Sequence, residues 1–329
     1  MKTLKILSIT DVITSNSLQF ISKNRHIYPI WYDFQLLFFR PDVLFVESAW
    51  QGWHNCWKYK IAAYPDHPER NNQALLRLLE SARQKHIPTV FWDKEGLVHF
   101  NRFIDSARHF DHVFTVDADT IPKYKKVMGE KASVHVMPFA VQPRFHSFDG
   151  FHFKYNTACF AGSYSTHAHP RRRAWQEMLF RAALDSGLGL HIFNRNSHRR
   201  SKIYQYPAWQ GIQMHPFVPN PLTAKIYKNY LVSLNVNTNE DSTTMVSRRL
   251  VEILACGGIA VTTPAPSVDR EFHEFCHIVH DYNETLELFN RLKHGPSKND
   301  LERAKAGADY IARHHTWDIN LKLIKILLD

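Results

Sequence analysis

Cysteine, acidic charge and long apolar runs are all scarce in this chain. The four cysteines, Cys56, Cys159, Cys256 and Cys276, are scattered and form no CxxC pair. That argues against a disulfide framework or a structural zinc site and fits a reducing cytoplasm. No apolar run reaches the roughly 20 residues that a membrane span needs. The opening "MKTLKILSITD" has no long apolar stretch before a small-residue cleavage site, so it does not read as a signal peptide. Internal repeats, low-complexity tracts and recognisable RNA- or DNA-binding motifs are missing as well. Asp and Glu number 31 against 41 Lys and Arg, a formal charge of +10. Such a balance favours anionic partners, namely phosphates, nucleic acid or an acidic membrane surface, without choosing among them.

What is present is alternation. Residues 4–10, 42–49, 88–92, 112–117 and 133–139 are short apolar runs, continuous enough to be strands buried on both faces. Helical spacing fills 70–86, 100–110 and 119–129 between them. The series restarts with a strand at 157–163, a helix at 170–186 opening on proline, and a strand at 188–194. A helix at 221–231, a strand at 232–237, a helix at 244–256 and short strands at 258–264 and 277–281 follow, and helices near 283–293, 299–313 and 316–328 close the chain. Two strand–helix series joined by a proline-bearing linker near residue 143 predict two similar α/β domains with parallel sheets. Their expected bounds are 1–142 and 143–313, with a closing helix within 314–329 that packs back on the first domain.

In open parallel sheets, ligands bind beyond the carboxyl ends of the strands, near helix N-termini. "FAGSYSTHAHPRRR" meets that description: Gly162 and Ser163 let a backbone approach an anion, and Arg171, Arg172 and Arg173 lie in the first helical turn, where cations oppose the helix dipole unless an anion joins them. The alternative is a solvated basic turn. In "TMVSRRLVEILACGGIAVTTP", Arg248 or Arg249 could hold phosphate, and Glu252 is a suitable acceptor for two ribose hydroxyls. An ordinary i,i+4 pair between Arg248 and Glu252 is the plain alternative. Gly257 and Gly258 read as a helix C-cap or as a close backbone approach to a ligand.

Other candidates sit after the first strands. Asp11, Glu47, Asp93, Glu95 and His99 lie where cleft residues should, with Glu95 and His99 ranked first as the base that takes an acceptor proton. Trp50, Trp53 and Trp57 share one loop, and Asp11, Trp50 and Trp53 are the expected acceptor contacts. Asp117 and Asp119 in "DAD" leave open a metal-dependent single-domain transferase. The pairs at 167/169 and 314/315 are weak metal candidates.

The segment "SRRLVEILACGGIAVTTP" resembles the donor-binding segment of GT-B glycosyltransferases, in particular the CgeB-like branch of bacterial family-1-type transferases. The likeness extends to "LFVESAWQGWHNCWKYKI", "FWDKEGLVHFNRFIDSARHFDHVFTVDAD", "MPFAVQPRFH", "ACFAGSYSTHAHPRRR" and "HHTWDINLKLIKILL". It implies two Rossmann-like domains facing a central cleft, the second holding a nucleotide-diphosphate sugar and the first an acceptor. It further implies that Glu252 binds ribose, Arg249 is the nearby basic position and Gly162 belongs to the loop beside the diphosphate. Many retaining members carry a second glutamate eight positions earlier, where this chain has Thr244. The expectation is a cytoplasmic transferase that needs no metal or cofactor and uses a nucleotide sugar as donor. It would act on a glycan, lipid-linked or other hydroxyl acceptor in surface glycan synthesis. Contact with an anionic membrane at its inner face is the expected peripheral association, and nucleic acid is not an expected partner. A basic nucleotide- or nucleic-acid-binding module without activity is the non-enzymatic alternative.

Overall fold

The computed structural model describes residues 3–328. The chain divides into two compact units: 1–139 with 242–245 and 317–329, and 140–241 with 246–316. The first boundary lies three residues before the one expected at 142/143.

Unit 1 runs β1 (Lys5–Ile9), α1 (Val12–Leu18), β2 (Lys23–His26), α2 (Tyr32–Phe39), β3 (Val43–Glu47), α3 (Gln73–Gln84), β4 (Thr89–Asp93), α4 (Phe100–Ala107), β5 (His112–Thr115), α5 (Ile121–Met128) and β6 (Ser133–Val136). The strands form one parallel sheet in the order β2-β1-β3-β4-β5-β6. β3 and β4 are buried throughout, which is why they read as unbroken apolar runs. Leu7, Leu44, Phe91 and Phe103 lie in its core, and Trp57 donates its indole N–H to the Ile27 carbonyl at 2.7 Å.

Unit 2 contains β7 (Tyr155–Gly162), α6 (Pro170–Asp185), β8 (Leu190–Asn194), β9 (Ile212–His215), α7 (Ala224–Asn229), β10 (Tyr230–Asn235), α8 (Arg248–Ala255), β11 (Ile259–Thr262), α9 (Pro266–Glu271), β12 (His277–Ile278), α10 (Tyr282–Leu292) and α11 (Lys298–His314). Its sheet is also parallel, in the order β12-β11-β10-β7-β8-β9. The chain reverses its winding between β1 and β3 in unit 1 and between β7 and β10 in unit 2. Crevices for ligands open at the carboxyl ends of strands beside such switch points. The last helix, α12 (Trp317–Leu328), belongs to unit 1, where the Trp317 ring meets Trp92 edge-on at 5.1 Å.

One expected helix starts late. The pattern suggested 244–256, but α8 begins at Arg248, because residues 242–245 bond to unit 1. Ser242 Oγ donates to Asp117 at 2.6 Å, and Thr243 donates to Asp119 through its N–H and its hydroxyl, both at 3.0 Å. Thr244 donates to the Val116 carbonyl at 3.0 Å and accepts from the Ala118 N–H at 2.8 Å.

The double glycine stops α8. Gly257 has φ +69°, and a Cβ there would lie 2.3 Å from the Phe148 ring. A Cβ on Gly258 would lie 2.8 Å from Ile253 Cγ2. Helix termination and packing use both positions, in line with the C-cap reading. Gly257→Ala is expected to destabilise unit 2 by more than about 1 kcal/mol, since strain and overlap add. Urea unfolding with an unchanged midpoint would show that Phe148 yields freely.

Candidate active site

β7 ends at Gly162, beside the switch point of unit 2. Arg249, in the first turn of α8, reaches back to it. Its Nε donates to the Ala161 carbonyl at 2.7 Å, and its guanidinium lies 4.3 Å from the centroid of the Phe160 ring. A Cβ on Gly162 would stand 2.5 Å from Arg249 Nη2, so only glycine leaves room for this side chain.

The three arginines that open α6 separate. Arg171 turns outward to Glu240 at 2.9 Å, and Arg173 bonds the Thr166 carbonyl. Arg172 turns inward and donates to the Ser163 carbonyl at 3.3 Å. Burial, followed by the like charge of Arg249, pushes Arg172 down to about 10, which leaves it cationic at neutral pH. Tyr206 sits beside the pair, and burial raises its phenol well above the ordinary range. Arg172 Nε, Arg249 Nη1 and Tyr206 Oη are all buried without a hydrogen-bond partner among the described residues. Unpaired buried donors are costly, and three together beside a strand end form a cradle for an anion.

Glu252 lies one turn further along α8 and is buried. Its carboxylate accepts from Asn220 Nδ2 at 2.7 Å and from the Tyr227 hydroxyl at 3.4 Å. Arg248 precedes Arg249 at the start of the helix and is half-buried. The structure therefore brings Gly162, Ser163, Arg172 and Arg249 to one place, with Glu252 on the same helix as Arg249.

The matching position in unit 1 is closed by its own charges. Lys94 donates to Asp11 and to Glu47, each at 2.9 Å. Glu47 is fully buried and also accepts from the Asp11 N–H and the Thr14 hydroxyl, each at 2.6 Å. The Asp11 carboxylate takes the backbone N–H groups of Gly52 and Gln51 at 2.9 and 3.3 Å. Burial alone would raise the Asp11 carboxyl, but Lys94 and these N–H groups outweigh it and hold it below the ordinary range. Asp11 thus anchors the tryptophan loop.

That loop and the segment after β4 frame a pocket of about 430 Å³ lined by Trp50, Tyr64, Leu97, His99, Asn101 and Arg102 among others. Trp50 meets His99 and Phe103 edge-on, both at 5.1 Å. Glu95 Oε2 stands 3.9 Å from His99 Nε2. Burial lowers the His99 imidazole, Glu95 opposes this and Arg102 adds to it, so the ring is neutral at pH 7. Asp93 shapes the turn by accepting from the N–H groups of Glu95 and Gly96 and from the Tyr124 hydroxyl, and burial raises its carboxyl to about 7. Trp53 stacks on His26 at 4.3 Å, outside this pocket. Lys94, Tyr206, Asn220 and Arg102 escaped the sequence reading. Only Lys94 carried a signal, its place directly after a buried strand between two acids.

The carboxylates of "DAD" tie loops of unit 1 together. Asp117 accepts from Ser242 Oγ and the Leu97 N–H, and Asp119 from Thr243, so both carboxylates are spent on holding loops. The paired histidines are likewise engaged, His167 with Ser165 at 2.8 Å and His315 with Glu271 at 2.7 Å.

Two units, each built on a six-stranded parallel sheet covered by helices, give the architecture of the GT-B fold. Residues 171–325 match the family model described as glycosyl transferase-like. The fold is similar to that of Anabaena Alr3699/HepE solved with UDP and glucose, at TM-score 0.61 and 11% identity, over 98% of this chain and 91% of that one. Sucrose-phosphate synthase from Thermosynechococcus elongatus is similar at TM-score 0.55 and 10% identity, over 90% of this chain and 75% of that one. α,α-Trehalose 6-phosphate synthase from Burkholderia multivorans gives 0.54 and 12%, over 91% and 74%. At such identities the likeness establishes the GT-B fold. No curated protein matches the chain by sequence. The family match spans just under half of the chain and is a likeness of that part to glycosyl transferases.

Lys94→Met leaves two carboxylates without their cation and is expected to destabilise unit 1 by about 3–5 kcal/mol. Because Asp11 sits below its ordinary 3.8, its share is present above that pH and lost as pH falls through the folded value. The gap between the urea midpoints of the two proteins should therefore begin to narrow only below pH 3.8.

Proposed function

We propose that the protein transfers a sugar from a nucleotide-diphosphate donor, held by unit 2, to a hydroxyl acceptor received by unit 1. The observation that carries this reading is the convergence of Arg172, Arg249 and Tyr206 near Gly162, each with one buried polar atom that lacks a hydrogen-bond partner among the described residues. Arg172 and Arg249 supply two positive charges where the diphosphate gains negative charge as the bond from the anomeric carbon to phosphate oxygen breaks. This fixed charge does the work of a divalent cation, so the reaction runs without a resident metal or cofactor. Glu252 receives the ribose hydroxyls, with Asn220 and Tyr227 orienting its carboxylate. The acceptor oxygen attacks the anomeric carbon and its proton passes to neutral His99, with Glu95 stabilising the imidazolium that forms. Trp50 offers its ring to an acceptor sugar in the same pocket. The acceptor class that fits is a glycan or a lipid-linked saccharide of a cell-surface polymer.

Thermal shift against UDP, GDP, CDP and dTDP should show one nucleoside diphosphate raising Tm equally with manganese or with EDTA. Arg172→Gln and Arg249→Gln should each weaken it about ten- to hundredfold, the loss of a charge-assisted hydrogen bond in a buried site. Glu252→Ala should weaken the nucleotide but leave inorganic pyrophosphate binding unchanged. A metal requirement, or equal affinity in the arginine variants, contradicts the reading.

The rate should fall on the acid side of 6.5, because the folded His99 titrates below that ordinary value and loses its acceptor lone pair when protonated. His99→Gln should lower kcat by about 10²–10⁴ and flatten that limb while nucleotide binding is retained. A variant that keeps the acid limb removes His99 from the role of base.

A further inference from the structure

The segment from 26 to 40, "HIYPIWYDFQLLFFR", has no part in the sites above, and its composition is at odds with its exposure. α2 is apolar almost all round. Leu36 is buried, and Tyr32 and Phe39 pack on the core of unit 1. The opposite side is bare: Trp31 is 72% and Phe38 77% exposed, and Ile30, Phe34 and Leu37 are each more than half exposed. A helix apolar on every side is normally enclosed. Phe34 stacks on Phe38 and tilts against Trp31, each at 6.1 Å, so these rings form one continuous surface rather than scattered single exposures. Trp31 is also held at φ 60° and Arg40 at φ 47°, uncommon conformations for bulky residues, at the two ends of this short helix. The backbone accepts that cost at a side chain it does not bury.

Cations border the patch. Lys23 and Arg25 lie exposed on the edge strand β2, Arg25 stands 4.8 Å over the Phe39 ring, and Arg40 closes α2. Between residues 12 and 41 the one acidic residue is Asp33, which is paired with Lys85 at 3.0 Å. The patch is therefore apolar with a net positive rim. A second copy pairing face to face would set these cations against each other, whereas anionic headgroups above a hydrocarbon layer match both parts.

We propose that the 28–40 segment is an interfacial anchor that seats unit 1 on an anionic lipid bilayer, with Trp31, Phe34 and Phe38 in the headgroup–acyl boundary and Lys23, Arg25 and Arg40 on the phosphates. The inference goes beyond the transferase reading and does not depend on it. The segment leaves the carboxyl end of β2, where His26 stacks on Trp53, so the anchor begins beside the tryptophan loop that frames the acceptor pocket.

The test is flotation of the full chain with vesicles of phosphatidylcholine alone and of phosphatidylcholine mixed with phosphatidylglycerol. Binding is expected to the mixed vesicles, weakening as salt is raised. The variants are Trp31→Asn combined with Phe38→Gln, and Lys23→Glu combined with Arg25→Glu. Asn tolerates the positive φ at position 31, and all four side chains are exposed, so Tm should stay near the wild-type value and the nucleotide-induced thermal shift should be unchanged. Each pair should weaken vesicle binding about tenfold or more. Undiminished binding by both pairs, indifference to the anionic lipid, or a concentration-dependent dimer that the aromatic pair abolishes would each overturn the proposal. Failure of the nucleotide shift in the wild-type chain would count against the donor site alone.

Discussion

The arrangement in unit 2 rests on one crowded contact, the Arg249 guanidinium lying across Gly162. It needs a strand end without a side chain, an aromatic ring beneath and a carbonyl to hold Nε. Phe160, Ala161 and Gly162 supply these three in consecutive positions of β7. Once Arg249 is fixed there, Arg172 is the second cation in a half-buried space, and each disfavours the other's charge. Folding alone would not select such a pair, since solvated positions were open to both, as Arg171 and Arg173 show. The pair makes sense as a surface that is completed by an anion.

Much of this architecture was legible in the sequence, for a physical reason. Strands such as β3, β4 and β10 are covered on both faces and so appear as unbroken apolar runs, and helices of helical period separate them. β2 was missed because an edge strand reading "KNRH" is half solvated and has no apolar run to show. α2 was missed for the opposite reason: apolar residues all round give no helical period. Residues 242–245 look like the start of α8 but serve unit 1, a long-range pairing that local spacing cannot express.

The site was legible to a similar degree. Gly162, Arg249 and Glu252 stand out by position relative to a strand end and a helix start, and they carry both the resemblance and the geometry. Which of three consecutive arginines turns inward is decided by the fold around Ser163 and Tyr206, which the sequence does not display. Lys94 shows the limit from the other side. Asp11 and Glu47 looked like open cleft acids because their positions after strands were visible, while the cation that joins them comes from 83 residues beyond Asp11.

The two switch points therefore treat charge in opposite ways. In unit 1 the acids meet a lysine, the network closes on itself and the local structure is stabilised without a ligand. In unit 2 like charges face each other with unpaired donors, and their burial carries a desolvation cost that an anion would relieve. Relief of that cost grows with the negative charge of the anion, so it favours a diphosphate that gains charge as its bond to the sugar breaks. Unit 1 thus keeps its charges neutralised beside a pocket of aromatic and neutral imidazole groups, whereas unit 2 keeps two guanidinium groups close together within the fold.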